Sequence, residues 1–182
     1  MTTQPLPVVA CRVNDGNGER IVIALATVSD AQVVGLSARQ VVGQLLEPSA
    51  TEVIEPTKFA RNPAFFDFMH DVIRRHGPKL PALQAAARAQ REGHVFIIDG
   101  RTPTPEGRVP PEDIIGGFQV REGIVEEATY SANPNYRLLS ELGFTQLDSA
   151  LLEHLQNESR QPPVEAPGVS SIIARKPWYK LW

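Results

Sequence analysis

Cysteine is nearly absent. One thiol among 182 residues, Cys11, rules out an intramolecular disulfide and any zinc site built from several cysteines. It stands in an apolar run, where a thiol behaves as a small inert hydrophobe. Long apolar runs are missing too. The longest begins at Ile21 and meets Asp30 after nine residues, too short to cross a bilayer, so no transmembrane segment is expected. The opening MTTQPLPVVACRVND has neither the basic start nor the small-residue cleavage site of a secretory signal. Without an export signal or a disulfide, the expected location is cytoplasmic. Cations are not in excess: the formal net charge is −3, so the whole-chain balance gives no case for a nucleic-acid partner.

Sequence devices for cofactors are also lacking. No G-x-G-x-x-G follows a strand and opens a helix, and no G-x-x-x-x-G-K-[ST] phosphate loop occurs. No G-x-S-x-G elbow presents a nucleophile. The four histidines, His70, His76, His94 and His154, are dispersed. His70 and His76 are six apart on one predicted helix and do not share a face. No motif implies a cofactor or a metal ion.

What is present is ordinary globular material. Hydrophobic residues make up 42% and charged residues 21%, enough for a core. The charge is spread unevenly. Residues 58–91 carry seven cations against two carboxylates, +5, whereas residues 106–158 carry three against ten, −7. That asymmetry suits two solvated faces of opposite sign, or a polar interface for a partner.

Residues 6–13 and 21–26 are apolar and β-branched around Asn14-Asp15-Gly16-Asn17-Gly18, which predicts an antiparallel hairpin. Residues 31–36 and 51–55 suggest further short strands. Ser37 and Gln40 have capping-box spacing before an apolar stripe, predicting a helix over 37–46. Asn62-Pro63 opens and Gly77-Pro78 closes the clearest helix, with Phe65, Phe68, Met69 and Val72 on one face as core. Pro81 starts an alanine-rich helix closed by Gly93, and the short link predicts a helical hairpin. Residues 94–99 read as a buried strand, and 114–120 with 124–127 as a hairpin about Arg121-Glu122-Gly123. A short helix is expected over 136–142, and another from the Asp148 cap through Leu155. The order predicts an α+β fold: a mixed, mostly antiparallel sheet with helices packed on one side. Residues 1–157 form the expected single domain, and residues 158–182 a proline-rich linker with an extended aromatic and basic tail.

The segment 93–125 concentrates the candidate chemistry. Asp99, at the end of a strand, together with Glu112 and Asp113 across a proline-rich loop, makes a carboxylate set that suits acid–base or divalent-metal chemistry if the loop folds back. The simpler reading turns Asp99 on Gly100 and pairs it with Arg101 or Arg108. Arg101 would hold an anionic group, and Gly116-Gly117 inside a strand marks a bulge or a close approach by a backbone or ligand. In the tail, Arg175, Trp178, Tyr179 and Trp182 have the composition of protein-interface anchors. These features favour a non-catalytic protein-interaction or ligand-binding module with a protein partner or self-association. The alternative is a small metal-assisted hydrolase using the carboxylates of the 99–113 loop.

Overall fold

The expected first hairpin forms. In the structure, a computed structural model describing residues 2–14, 19–25, 36–47, 54–101 and 109–161, β2 (Val8–Asn14) pairs antiparallel with β3 (Glu19–Leu25). The 31–35 and 51–53 parts of the suggested strands lie outside the described residues, as does the tail from 162; Ile54 and Glu55 are not in a strand. Before the hairpin, β1 (Thr3–Pro5) pairs with β12 (Gln146–Asp148), the last strand, so the first and last strands of the described chain meet in one ribbon.

The helix expected over 37–46 is instead a turn and a strand. Gln40 does reach back as a capping residue would, its Oε1 accepting from the Ser37 N–H at 2.9 Å. After that turn the chain runs extended as β4 (Val41–Leu45) between β3 and β5 (Phe59–Arg61). Two β-branched valines followed by glycine are poor propagators of a helix. Gly43 is needed in this strand, because a Cβ there would sit 2.4 Å from both the Ala60 carbonyl and the Phe59 ring.

Helix α1 (Pro63–His76) begins as the sequence requires, with Asn62 Oδ1 accepting from the Ala64 N–H at 3.1 Å. Phe65, Phe66, Phe68, Met69, Val72 and Ile73 are all buried. A 3-10 turn over Gly77–Lys79 leads into α2 (Pro81–Gln90). The two helices do not form a mutually packed hairpin: α1 packs chiefly on α3 (Ser149–Ser159), and α2 on β6 (Gly93–Ile98) and β8 (Ile124–Val125). The Asp148 cap holds, accepting from the Ala150 N–H at 3.0 Å, and Leu151, Leu152 and Leu155 are buried. Helix α3 runs on to Ser159, a turn beyond Leu155.

The second sheet runs β6-β7-β8, with β7 spanning Ile114–Arg121 and β9 (Ser131–Ala132) also pairing with β7. Glu122 (φ 53°) and Gly123 (φ 80°) make the expected tight turn between β7 and β8. The helix expected over 136–142 is absent; β10 (Leu139–Ser140) and β11 (Gly143–Phe144) form a small hairpin there, with Gly143 at φ 96°. Tertiary burial overrides the local pattern. Tyr136 is 1% exposed and its hydroxyl is bonded to Asp99 and Thr145, which holds this stretch extended across the end of β6.

The fold is thus α+β, and every strand pairing among the described residues is antiparallel. One contiguous apolar core runs from Leu6 through α1 and β7 to Leu155. Among the described residues, no helix is long and apolar enough to cross a membrane.

Candidate functional site

Asp99 leaves β6 pointing inward and is 1% exposed. Its Oδ1 accepts from the Arg101 and Gln146 backbone N–H groups at 2.9 and 3.0 Å. Its Oδ2 accepts from Arg101 Nε at 2.8 Å and from the Tyr136 hydroxyl. Burial, then the Asp99 charge, pushes the Tyr136 hydroxyl well above the ordinary phenol range, so it stays a donor. Arg101 is equally committed. Its Nη1 donates to Ser140 Oγ and the Gly143 carbonyl at 3.0 and 2.6 Å. Nη2 donates to the Arg137 carbonyl at 2.7 Å and lies 2.7 Å from Asp99 Oδ2. All five guanidinium donors therefore have partners inside the protein. The turn on Gly100 and the Asp99–Arg101 pair match the simpler of the two readings of this segment.

Asp99 and Asp113 do come together, but through backbone: the Asp99 N–H donates to the Asp113 carbonyl at 2.9 Å. Asp113 is buried and Glu112 exposed, in a 3-10 turn over Pro111–Asp113. Asp99, Glu112 and Asp113 do not bring their donor atoms together as a metal-ligand group.

Gly116 and Gly117 serve opposite faces of β7. A Cβ on Gly116 would lie 2.5 Å from the Tyr130 hydroxyl and 2.8 Å from the Ser131 carbonyl. The missing side chain lets β9 and the Tyr130 ring close on β7, and Tyr130 then meets His70 Nδ1 at 2.6 Å. His70 is 7% exposed, and burial holds its pKa down to about 4, so the imidazole is neutral. On the other face, Gly117 stands opposite Phe96, whose ring would be 2.8 Å from a Cβ at that position. A register shift falls between Ile97 and Ile98, where Ile115 beside this glycine pair is left unpaired.

Strand β6 carries apolar residues on both faces, yet among the described residues only one face is covered. Val95 and Ile97 are buried beneath α2, whereas Phe96 is 48% exposed and Ile98 is half-buried. The sequence expectation of a buried strand is corrected here to a half-buried one. Phe96 and Ile98 open onto a groove of about 530 Å³ completed by Val109, Pro110, Pro111 and Ile114. Its wall is fixed: Asn133 Nδ2 donates to the Pro111 and Ile114 carbonyls, both at 2.7 Å. Among the described residues β6 pairs on one side only, with β7.

Sequence reasoning missed this groove because alternation within an unbroken apolar run is invisible. It also missed a second cluster, in which His76 at the end of α1 meets His154 and Glu158 on α3. The His154–Glu158 spacing of four was the available signal, lost when the helix was ended at Leu155. Arg175, Trp178, Tyr179 and Trp182 lie outside the described residues. Comparison with family models, with curated proteins and with solved structures finds no match.

Proposed function

We propose that this chain is a non-catalytic protein-interaction module, whose docking site is the groove along β6. The observation that carries the reading is the uncovered apolar face of a one-sided strand, lined by Phe96, Ile98 and Ile114 with prolines alongside. An exposed edge strand offers backbone donors and acceptors to an added strand, and flanking pockets select its side chains. Against catalysis stands the closed Asp99–Arg101–Tyr136 network, whose polar atoms are used within the fold.

The occupant is the segment 169–182 of the same chain, VSSIIARKPWYKLW. It supplies β-branched and aromatic side chains for the apolar groove, and Arg175, Lys176 and Lys180 as cations for the exposed Glu112 beside it. The residues beyond Gln161 reach roughly 70 Å when extended, farther than a domain of this size measures. Tethering gives the segment an effective concentration of order millimolar at the groove, so a partner of like chemistry must compete with it.

Trp178 and Trp182 are the only tryptophans in the chain, so intrinsic fluorescence reports this segment alone. Emission of the full chain is expected to be blue-shifted and shielded from iodide. Phe96→Glu should move it to the solvent-exposed position with the circular dichroism unchanged, since Phe96 is half exposed. Identical emission and quenching in both proteins would refute the reading. A blue shift lost on dilution would assign the segment to a second copy.

A further inference from the structure

Two helix ends meet at the junction of α1 and α3. His76 is the last residue of α1, and Glu158 the penultimate residue of α3. His154 precedes Glu158 by one helical turn, so both project from the same face toward His76. His76 Nε2 lies 2.9 Å from Glu158 Oε1, and the His154 ring stacks on His76 with centroids 3.6 Å apart and planes 12° from parallel. One donor atom from each residue lies within 4.8 Å of the other two. We propose that His76, His154 and Glu158 form a three-ligand site for a borderline transition-metal ion of the zinc class.

Two imidazoles and one carboxylate suit zinc, cobalt or nickel better than magnesium or calcium, which prefer oxygen. Bonds of about 2.0–2.2 Å place tetrahedral ligands roughly 3.3–3.6 Å apart. Drawing the donors together therefore requires them to close by about 1 Å and the His154 ring to turn out of its stack on His76 so that both lone pairs converge, a rotation its exposed position allows. His76 and Glu158 stand in the last turns of their helices, where the helix dipoles favour a cation.

In the metal-free protein Arg75 fills that place. Its Nη1 and Nη2 donate to Glu158 Oε1 and Oε2 at 3.0 and 2.5 Å, and these bonds hold the Glu158 carboxyl below the usual range. Arg75 Nε also binds Asp71 Oδ2 at 3.0 Å, so the guanidinium keeps a carboxylate partner when metal takes Glu158. It has room to withdraw, because Arg75 and His76 both line an open cleft of about 570 Å³ with Arg74, Lys79 and Glu127. Three protein ligands leave a fourth position for water or a small anion. Metal and guanidinium are thus alternative partners for one carboxylate.

Cobalt(II) titration of the full, untagged chain tests the site. One equivalent should produce the visible absorption of a four- or five-coordinate ion, and zinc should displace it while magnesium does not. His154→Ala should abolish the absorption without changing the metal-free melting temperature, since the ring is exposed. Glu158→Gln should weaken binding by about 10-fold or more. Absorption characteristic of six-coordinate aqueous cobalt throughout would overturn the proposal. So would unchanged binding in His154→Ala, which would place the ion on other donors.

Discussion

His70 shows how a residue that looks catalytic serves the fold. It is buried between Phe66 and Tyr130, the Phe66 ring centroid 4.4 Å away, and burial outweighs the pull of Asp67 in setting its pKa near 4. The unfolded chain takes up this proton near the ordinary value of about 6.5. The contribution of His70 to stability is therefore complete above about pH 6.5 and falls as the pH drops toward 4, by about 3 kcal/mol at most. Urea unfolding between pH 4 and 7 should show that slope, and His70→Gln, which keeps a partner for Tyr130 but does not titrate, should flatten it. A second residue-scale test concerns Tyr136. Tyr136→Phe removes the one buried hydroxyl proton that Asp99 Oδ2 accepts from it and takes away the oxygen that Thr145 Oγ1 meets. The expected loss is about 1–3 kcal/mol in denaturant unfolding, with the fold retained.

At the scale of elements, the segments decided by local chemistry were legible. The Asn62-Pro63 and Asp148 caps, the Glu122-Gly123 turn and the β-branched strands of the first hairpin all appear where their residues place them. The two misread segments were decided elsewhere in the chain. Residues 41–45 carry a helical stripe but lie between two strands, and residues 136–142 are held by Asp99 and Thr145, remote in sequence or hidden in the core. Asn62 joins these cases, because besides capping α1 its Nδ2 donates to the Ala38 and Val41 carbonyls at 2.8 and 2.7 Å. Asn62→Ala should cost at least the upper end of the usual cap penalty, about 2 kcal/mol, and loosen the turn before β4 as read by hydrogen exchange. Gly116→Ala meets a backbone carbonyl as well as the Tyr130 hydroxyl, so relief requires moving β9. A loss of roughly 1–3 kcal/mol is expected in thermal or denaturant unfolding.

For the whole molecule, the sequence marks residues 93–125 by their charged groups, and the groove proposed as the docking site lies on the other face of the same strand. Asp99 and Arg101 are charged residues in an apolar setting, and that setting is why they pair with each other and with Tyr136. The groove on the opposite face is built from Phe96, Ile98 and Ile114, which composition alone would bury, and from prolines that read as loop. Neither the groove nor the His76–His154–Glu158 cluster could be assembled without the pairing of β6 with β7 and the packing of α1 on α3. The most direct test of the docking reading is a photo-crosslink. With benzoylphenylalanine in place of Phe96 in the full chain, irradiation followed by mass spectrometry should yield intrachain products joining position 96 to residues 169–182. Products confined to other regions, or none above the background of an exposed control position, would contradict it.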